Sequence, residues 1–167
     1  RCGQKGMVTS LIPPDVDDIE LTKRIIAERQ RGPNRSYFND YKEQWLARVN
    51  EYIKNSGDPK KIDDSFVSED DGGKFINLYT HPQDESCHGP IITKMRDTDL
   101  LFCPACGEDG KPETLDHYLP KTKYPEYSLL TKNLYPMCSK CQGIKLAEVL
   151  DPHGDRQFIH PYFDVIE

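Results

Sequence analysis

Four of the six cysteines form two Cys-x-x-Cys pairs, Cys103 with Cys106 and Cys138 with Cys141. Two such pairs typically supply the four ligands of one tetrahedral zinc ion, because each pair places two thiolates on a single tight turn. Disulfide bridges are the less favoured interpretation, since nothing in the sequence suggests export. A zinc ion with four sulfur ligands has no open coordination position, so we expect a structural ion that clamps the ends of the segment 107–137.

Between the pairs, Asp116 and His117 combine a carboxylate with an imidazole. Hydrolysis of a phosphodiester requires an activated water and a cation that offsets the charge on the phosphate. A neutral histidine can take a proton from water, and an aspartate can hold Mg²⁺ or Mn²⁺. Neighbouring residues of a strand point to opposite faces, so the two side chains can serve different parts of one reaction. The simpler alternative is a buried, hydrogen-bonded histidine beside a turn-forming aspartate.

The elements that must position these residues form a short α+β unit. Alternation of apolar and polar residues predicts a strand over 115–119, which Pro120 ends, and the residues 134–137 suit a returning strand. Helical spacing of apolar residues predicts a helix over 142–150. We therefore expect a hairpin followed by a helix, held together at both ends by zinc.

The region that precedes this unit is predicted to be mainly helical. Apolar periodicity and helix-end signals predict helices over 15–31 and 36–57 and a short helix over 90–102. Glycines in the stretch 58–80 suit the turn of a hairpin. The second helix carries a stripe that is typical of a buried face: Phe38, Tyr41, Trp45, Val49, Tyr52 and Ile53.

At 167 residues the chain is long enough for one functional unit. We divide it into residues 1–100, which would contact a partner or the substrate, and residues 101–167, the zinc-containing module. No apolar run approaches the roughly 18 residues of a membrane span, so a membrane role is excluded. Nothing resembles a signal peptide, and we expect a cytoplasmic protein.

The net charge of −6 argues against bulk electrostatic coating of nucleic acid, but charge is unevenly distributed. The stretch 111–146 is locally basic, and within it Lys121 and Lys123 are interleaved with Tyr124 and Tyr127. Lysines that contact phosphates beside rings that stack on bases suit a nucleic-acid-binding edge. A solvated loop is the alternative. Outside the Cys-x-x-Cys pairs, Cys2 is left over, and the dipeptide at 87–88, Cys-His, resembles half a metal site.

Taken together, these residues resemble the HNH endonuclease motif, a ββα-metal finger that commonly adds a structural zinc. The resemblance covers about residues 101–163 and consists of Asp116-His117, Pro120, Asn133-Leu134, both Cys-x-x-Cys pairs and Lys145. The wider run, with the later "DPHGDRQFIHPYFD", is most similar to HNH nucleases of bacterial anti-phage systems that accompany an ATPase subunit in Septu-type operons.

The resemblance implies roles for individual residues. His117 would be the general base, Asp116 would hold the catalytic Mg²⁺ or Mn²⁺, and Asn133 would brace the loop that holds His117. Lys145 would contact a phosphate or steady the scissile region. Lys121 and Lys123 would bind the nucleic-acid strand. For Asn133, a plain turn residue is the alternative.

The sequence departs from the family at Gln142, because the family usually has Asn or His there as the second ligand of the catalytic metal. Gln142 would bind the cation directly or through a water, or His160 or His153 would take its place. The expected function is a metal-dependent DNA endonuclease, the nuclease subunit of an anti-phage complex with an ATPase partner. The alternatives are a catalytically silent zinc module that binds nucleic acid or a protein, and an RNA endonuclease.

Overall fold

A computed structural model describes residues 9–29 and 31–166 of the chain. Helices and strands are both present, so the predicted α+β class is confirmed. Single 3-10 turns lie at Pro125–Tyr127 and Thr131–Asn133. The regular elements of the described residues are α1 Asp18–Glu28, α2 Arg35–Asp40, α3 Lys42–Lys54, α4 Gly72–Thr80, α5 Gly89–Arg96, β1 Thr114–His117, β2 Leu134–Met137 and α6 Ser139–Lys145.

The first three helices follow the predicted periodicity with one interruption. Asp17 caps α1, because its carboxylate accepts the backbone N–H of Glu20 at 3.1 Å. The helix predicted over 36–57 is two helices that meet at Tyr41. The stripe is confirmed as core at Phe38, Trp45, Val49 and Tyr52, whereas Tyr41 and Ile53 reach the surface.

The hairpin proposed for residues 58–80 is wrong, because that stretch contains helix α4. Phe75, Leu78 and Tyr79 are buried and lie three and four residues apart, which is the spacing of one helical face. The glycines that suggested a hairpin turn stand at the start of this helix instead. Helix α5 ends at Arg96, well before the predicted limit at 102.

The hairpin that precedes the last helix is antiparallel, with Asp116 opposite Tyr135 and His117 opposite Leu134. Helix α6 begins three residues earlier than predicted and ends at Lys145. It stops there because Leu146 has a positive φ of 48°, which a right-handed helix does not allow. Hairpin and helix therefore occur in the predicted order, with a shorter helix.

One hydrophobic cluster contains buried side chains from the helical region and from the hairpin. Helices α3 and α4 pack on the turn Pro125–Tyr127, and α5 packs on both strands. The helical region therefore supports the loop between the strands from behind. Among the residues the structure describes, no helix is both long enough and apolar enough to cross a membrane. The division at residue 100 and the cytoplasmic location stay predictions.

Candidate active site

The four paired cysteines come together as predicted. Their sulfur atoms all lie within 4.8 Å of one another, and the Sγ atoms of Cys106 and Cys138 are 3.9 Å apart. A tetrahedral zinc ion holds its sulfur ligands at about 2.3 Å, which places the sulfurs about 3.8 Å from each other. Backbone N–H groups of Cys138 and Cys141 point to the sulfurs of Cys103 and Cys138. This group could bind a zinc ion.

The cysteine cluster also fixes the start of α6. Cys138 is the N-cap of that helix, and its sulfur accepts the backbone N–H of Cys141 in the first turn. Gln142 follows directly, and Lys145 lies one turn further along the same helix. An ion bound by the cluster would therefore determine where these two side chains point relative to β1.

His117, the last residue of β1, is held in one tautomer. Its Nε2 lies 3.0 Å from the carbonyl oxygen of Ser128. Its ring packs edge-to-face with the Tyr79 ring, and the two ring centroids are 4.5 Å apart. A carbonyl oxygen can only accept a hydrogen bond, so Nε2 carries the proton. The other ring nitrogen, Nδ1, therefore keeps a lone pair that can accept a proton.

The pKa of His117 is lowered to about 3. Burial is the largest cause, because it disfavours the charged imidazolium, and the nearby cations of Lys121, Lys145 and Arg96 lower it further. The hydrogen bond to Ser128 opposes this shift. The imidazole is consequently neutral at physiological pH.

Asp116 faces α6 and is almost fully buried. The Nε2 of Gln142 lies 3.4 Å from its Oδ1, and the Nζ of Lys145 lies 3.0 Å from its Oδ2. The Lys145 contact is an ion pair without hydrogen-bond geometry, and the same ammonium donates to the carbonyl of His117 at 2.7 Å. Oδ2 is buried and forms no hydrogen bond within the described part of the chain, so its partner there is the Lys145 ammonium.

The position of Lys145 differs from the expected phosphate contact. Its side chain is only 1% exposed, and its ammonium bridges the carboxylate of Asp116 and the backbone of His117. A phosphate at the surface cannot reach a buried ammonium in this arrangement. Lys145 therefore positions the two adjacent residues of β1.

Asn133 braces the loop that carries Ser128. Its Oδ1 accepts the backbone N–H of Leu119 at 2.8 Å, and its Nδ2 donates to the carbonyls of Leu119 and Tyr127 at 3.0 and 3.3 Å. The side chain is fully buried, so it does not face a substrate. These contacts are compatible with the bracing role that the HNH resemblance implied, which stays a prediction.

A directed chain of hydrogen bonds runs from the C-terminal segment to Asn133. The backbone N–H of Tyr162 points to Nδ1 of His160, so Nε2 of that ring carries the proton and donates to the Tyr52 hydroxyl at 2.8 Å. The hydroxyl then donates to Oδ1 of Asn133 at 2.9 Å. His160 is fully buried within this series of hydrogen bonds, so it is not a substitute for Gln142 as a metal ligand.

Helices α1 and α3 anchor the same loop through buried charges. Arg48 donates to the carboxylate of Glu126 at 2.8 Å, and both side chains are shielded from solvent. Asp18 accepts the backbone N–H and the hydroxyl of Thr131 at 2.8 and 3.0 Å. Ser128 lies between these two anchors, so the helical region fixes the carbonyl that orients His117.

Asp116, His117, Gln142 and Lys121 line one open cavity of about 510 Å³. Neither His160 nor His153 lines it. Carboxylate and amide oxygens are ligands that Mg²⁺ accepts, but Gln142 presents its Nε2 and not its amide oxygen to Asp116. The ammonium 3.0 Å from Oδ2 opposes a second cation, so we expect weak binding.

Only some lysines of the basic stretch 111–146 are available for binding. Lys111, Lys132, Lys140 and Lys145 each form a salt bridge with an acid. Lys121 and Lys123 form none with the residues that the structure describes. Lys121 lines the cavity of His117, and Lys123 is exposed in the adjoining groove.

Sequence reasoning missed several residues that hold or flank His117. Tyr79 packs on its ring, Ser128 orients it, and the guanidinium of Arg96 lies 4.8 Å above the Tyr79 ring. The exposed Arg96 lies close enough to influence the imidazole. Residues 79 and 96 come from helices that are distant in sequence, so no local spacing could identify them.

Comparison with known proteins gives one partial relative. No family profile matches the chain, and no solved structure matches it. Over 62 residues the chain is 40% identical to Protein ea31 of Escherichia phage lambda, a segment that covers 37% of this chain and 21% of that protein. Because the similarity spans about a fifth of that phage protein, it assigns neither a family nor an activity here.

Proposed function

We propose that this chain is an HNH-type, divalent-metal-dependent endonuclease that hydrolyses phosphodiester bonds of DNA. One observation carries the proposal: a histidine with a fixed tautomer and a carboxylate are adjacent in sequence and line the same cavity. The two groups are those that hydrolysis of a phosphodiester requires.

His117 takes the proton of the attacking water through Nδ1, while Nε2 stays on the Ser128 carbonyl. The negative charge of a bound phosphodiester raises the pKa of the ring above its value in the free protein, which makes the ring a better base when substrate is present. A divalent cation held by Asp116 and the amide of Gln142 would offset charge on the phosphate. Lys145 forms an ion pair with Asp116 and holds the end of β1 through the carbonyl of His117.

Substrate contacts are proposed for Lys121, Lys123 and Arg96. The first two are the lysines of the basic stretch that have no acidic partner among the described residues, and they lead away from the cavity along one loop. Two or three phosphate contacts bind weakly on a chain of net charge −6. A partner that delivers DNA, such as the ATPase subunit of a cytoplasmic anti-phage complex, would compensate; this extension is supported by the HNH resemblance alone.

The test is cleavage of plasmid DNA, single-stranded DNA and RNA with Mg²⁺, Mn²⁺ or EDTA. We expect metal-dependent DNA cleavage that His117→Ala reduces by roughly 10²–10⁴-fold, the usual contribution of a general base. The matched control is His81→Ala, because His81 is exposed and does not line the cavity. Equal activity of the His117 and His81 variants contradicts the proposal. If RNA alone is cleaved, RNA replaces DNA as the proposed substrate.

A second candidate is a catalytically silent zinc module that binds nucleic acid or a protein. The ammonium of Lys145 favours it, because this group lies where a cation would approach Asp116. Binding of DNA without cleavage under any metal condition supports this candidate. In that case Lys121→Ala weakens binding, and His117→Ala leaves it unchanged.

A further inference from the structure

A second group of metal-ligand atoms lies outside the candidate active site. Ligand atoms of Glu28, Cys87 and His88 all lie within 4.8 Å of one another. Glu28 is the last residue of α1, and His88 is the N-cap of α5. The group therefore joins the end of the first helix to the connection between α4 and α5.

His88 has a buried nitrogen without a partner. Its side chain is 1% exposed, and its Nε2 lies 3.1 Å from the carbonyl oxygen of Leu78. Nε2 must donate to that carbonyl, so Nδ1 carries a lone pair. Nδ1 is buried and forms no hydrogen bond with any described residue. Histidines that bind metals commonly donate their other N–H to a backbone carbonyl in this manner.

The thiol and the carboxylate are held beside this nitrogen. Both oxygens of Glu28 accept the backbone N–H of Cys87, at 3.0 and 3.1 Å. The turn that carries the thiol is tight, because a Cβ at Gly89 would lie 2.1 Å from the carbonyl oxygen of Gln83. The backbone at residues 87 and 88 is thus fixed before any ion binds.

We propose that Glu28, Cys87 and His88 form a second metal site that binds Zn²⁺. Sulfur, imidazole and carboxylate ligands suit zinc, whereas Mg²⁺ and Ca²⁺ prefer oxygen alone. Three protein ligands leave the fourth position to water. Glu28 is exposed, so an ion can enter from solvent. The ion ties the end of α1 to the start of α5, and it binds more weakly than the four-cysteine group because it has three protein ligands instead of four.

Zinc content per chain tests this site directly. The full chain is equilibrated with buffered Zn²⁺, freed of unbound metal on a short desalting column, and analysed by inductively coupled plasma mass spectrometry. We expect two equivalents for the wild type and one for Cys87→Ala and for Glu28→Gln. His81→Asn is the matched control and keeps two, because this nearby histidine is exposed and outside the group.

The four-cysteine site serves as an internal standard for metal loading, because a variant that lacks only the second site loses one equivalent and keeps the other. Glu28→Gln is the decisive variant, since the exposed glutamate can be replaced without disturbing the core. Cobalt titration adds a spectroscopic readout: the variant should lose only the weaker absorption component and keep the intense sulfur-to-cobalt bands. One equivalent in the wild type, or two retained in both variants, overturns the proposal.

Discussion

The two halves of the candidate site are held in different ways. Asp116 is positioned by Gln142 and Lys145 of α6, a helix whose first turn begins in the cysteine cluster. His117 is positioned by Ser128, a residue of a loop that the helical region anchors through buried polar contacts. One side would therefore depend on a metal ion bound by the cysteine cluster, whereas the other depends on the folded core.

This difference means that the two sides should fail separately. A short helix such as α6 has little stability of its own, so loss of its capping cluster removes its fixed position. The loop behind His117 keeps its anchors without any ion. Adjacent residues of one strand would then belong to units of different stability, and perturbations can be directed at either one.

The largest expected effect is removal of zinc. Binding of structural zinc is worth about 10–16 kcal/mol in small zinc-dependent peptides, so a chelator or Cys138→Ser should release α6. Hydrogen exchange should show that amides of α6 lose protection, while those of α1 and α3 keep it. Ser139→Ala is the control, because its side chain lies beside the cluster without belonging to it. Equal loss of protection in α3 and α6 would contradict two separable sides.

The next largest effect is expected from breaking the buried ion pair between Arg48 and Glu126, which anchors the loop behind His117. Removing one partner of such a pair leaves an uncompensated charge and costs about 3–5 kcal/mol. We expect this loss for Arg48→Met, because Glu126 is fully buried and loses its cationic partner. The control is Lys60→Met, which removes the exposed pair with Asp155 and costs under about 1 kcal/mol. Urea unfolding measures both, and equal costs would show that the loop does not depend on its anchor.

Gly57 supplies a smaller perturbation of the same side. Its φ is +68°, and a Cβ there would lie 2.8 Å from the Tyr52 hydroxyl and 2.9 Å from the His160 ring. Gly57→Ala should cost about 1–3 kcal/mol through this overlap and should weaken the hydrogen-bond chain to Asn133. Gly73→Ala is the matched control, because it lies in α4 with open space around the added carbon. If thermal melts give both variants the same stability, the hydrogen-bond chain to Asn133 does not brace the loop.

The sequence was sufficient to predict the cysteine cluster and the order of hairpin and helix, and insufficient for the contacts of His117 and Lys145. The spacing within each Cys-x-x-Cys pair identifies the metal ligands from neighbouring residues alone. The order of hairpin and helix followed from the periodicity of apolar residues. The partners of His117 could not be predicted in the same way, because Tyr79, Ser128 and Tyr52 are joined to it or to its loop only by tertiary packing. The burial of Lys145 could not be predicted for the same reason, because it is a property of the fold.

The smallest expected effect is the pH dependence of stability that is caused by His117, the buried histidine of the core-dependent side. The pKa of His117 is lowered to about 3, below the ordinary value near 6.5, chiefly by burial. Between these values the unfolded chain binds a proton that the folded chain does not. Stability is therefore complete above about pH 6.5 and falls on acidification, at ~1.4 kcal/mol per pH unit for one histidine.

Urea unfolding of the wild type and of His117→Gln at pH 7, 6 and 5 measures this slope. Protonation of the cysteine cluster also weakens the fold in acid, but both proteins carry that cluster, so the difference between their slopes isolates the imidazole. The variant should be less stable at pH 7 and should lose stability less steeply, by ~1.4 kcal/mol per pH unit. Parallel slopes would mean that the ring is accessible enough to be protonated in the folded state. The core-dependent side would then be open to solvent, and the contrast with the metal-dependent side would disappear.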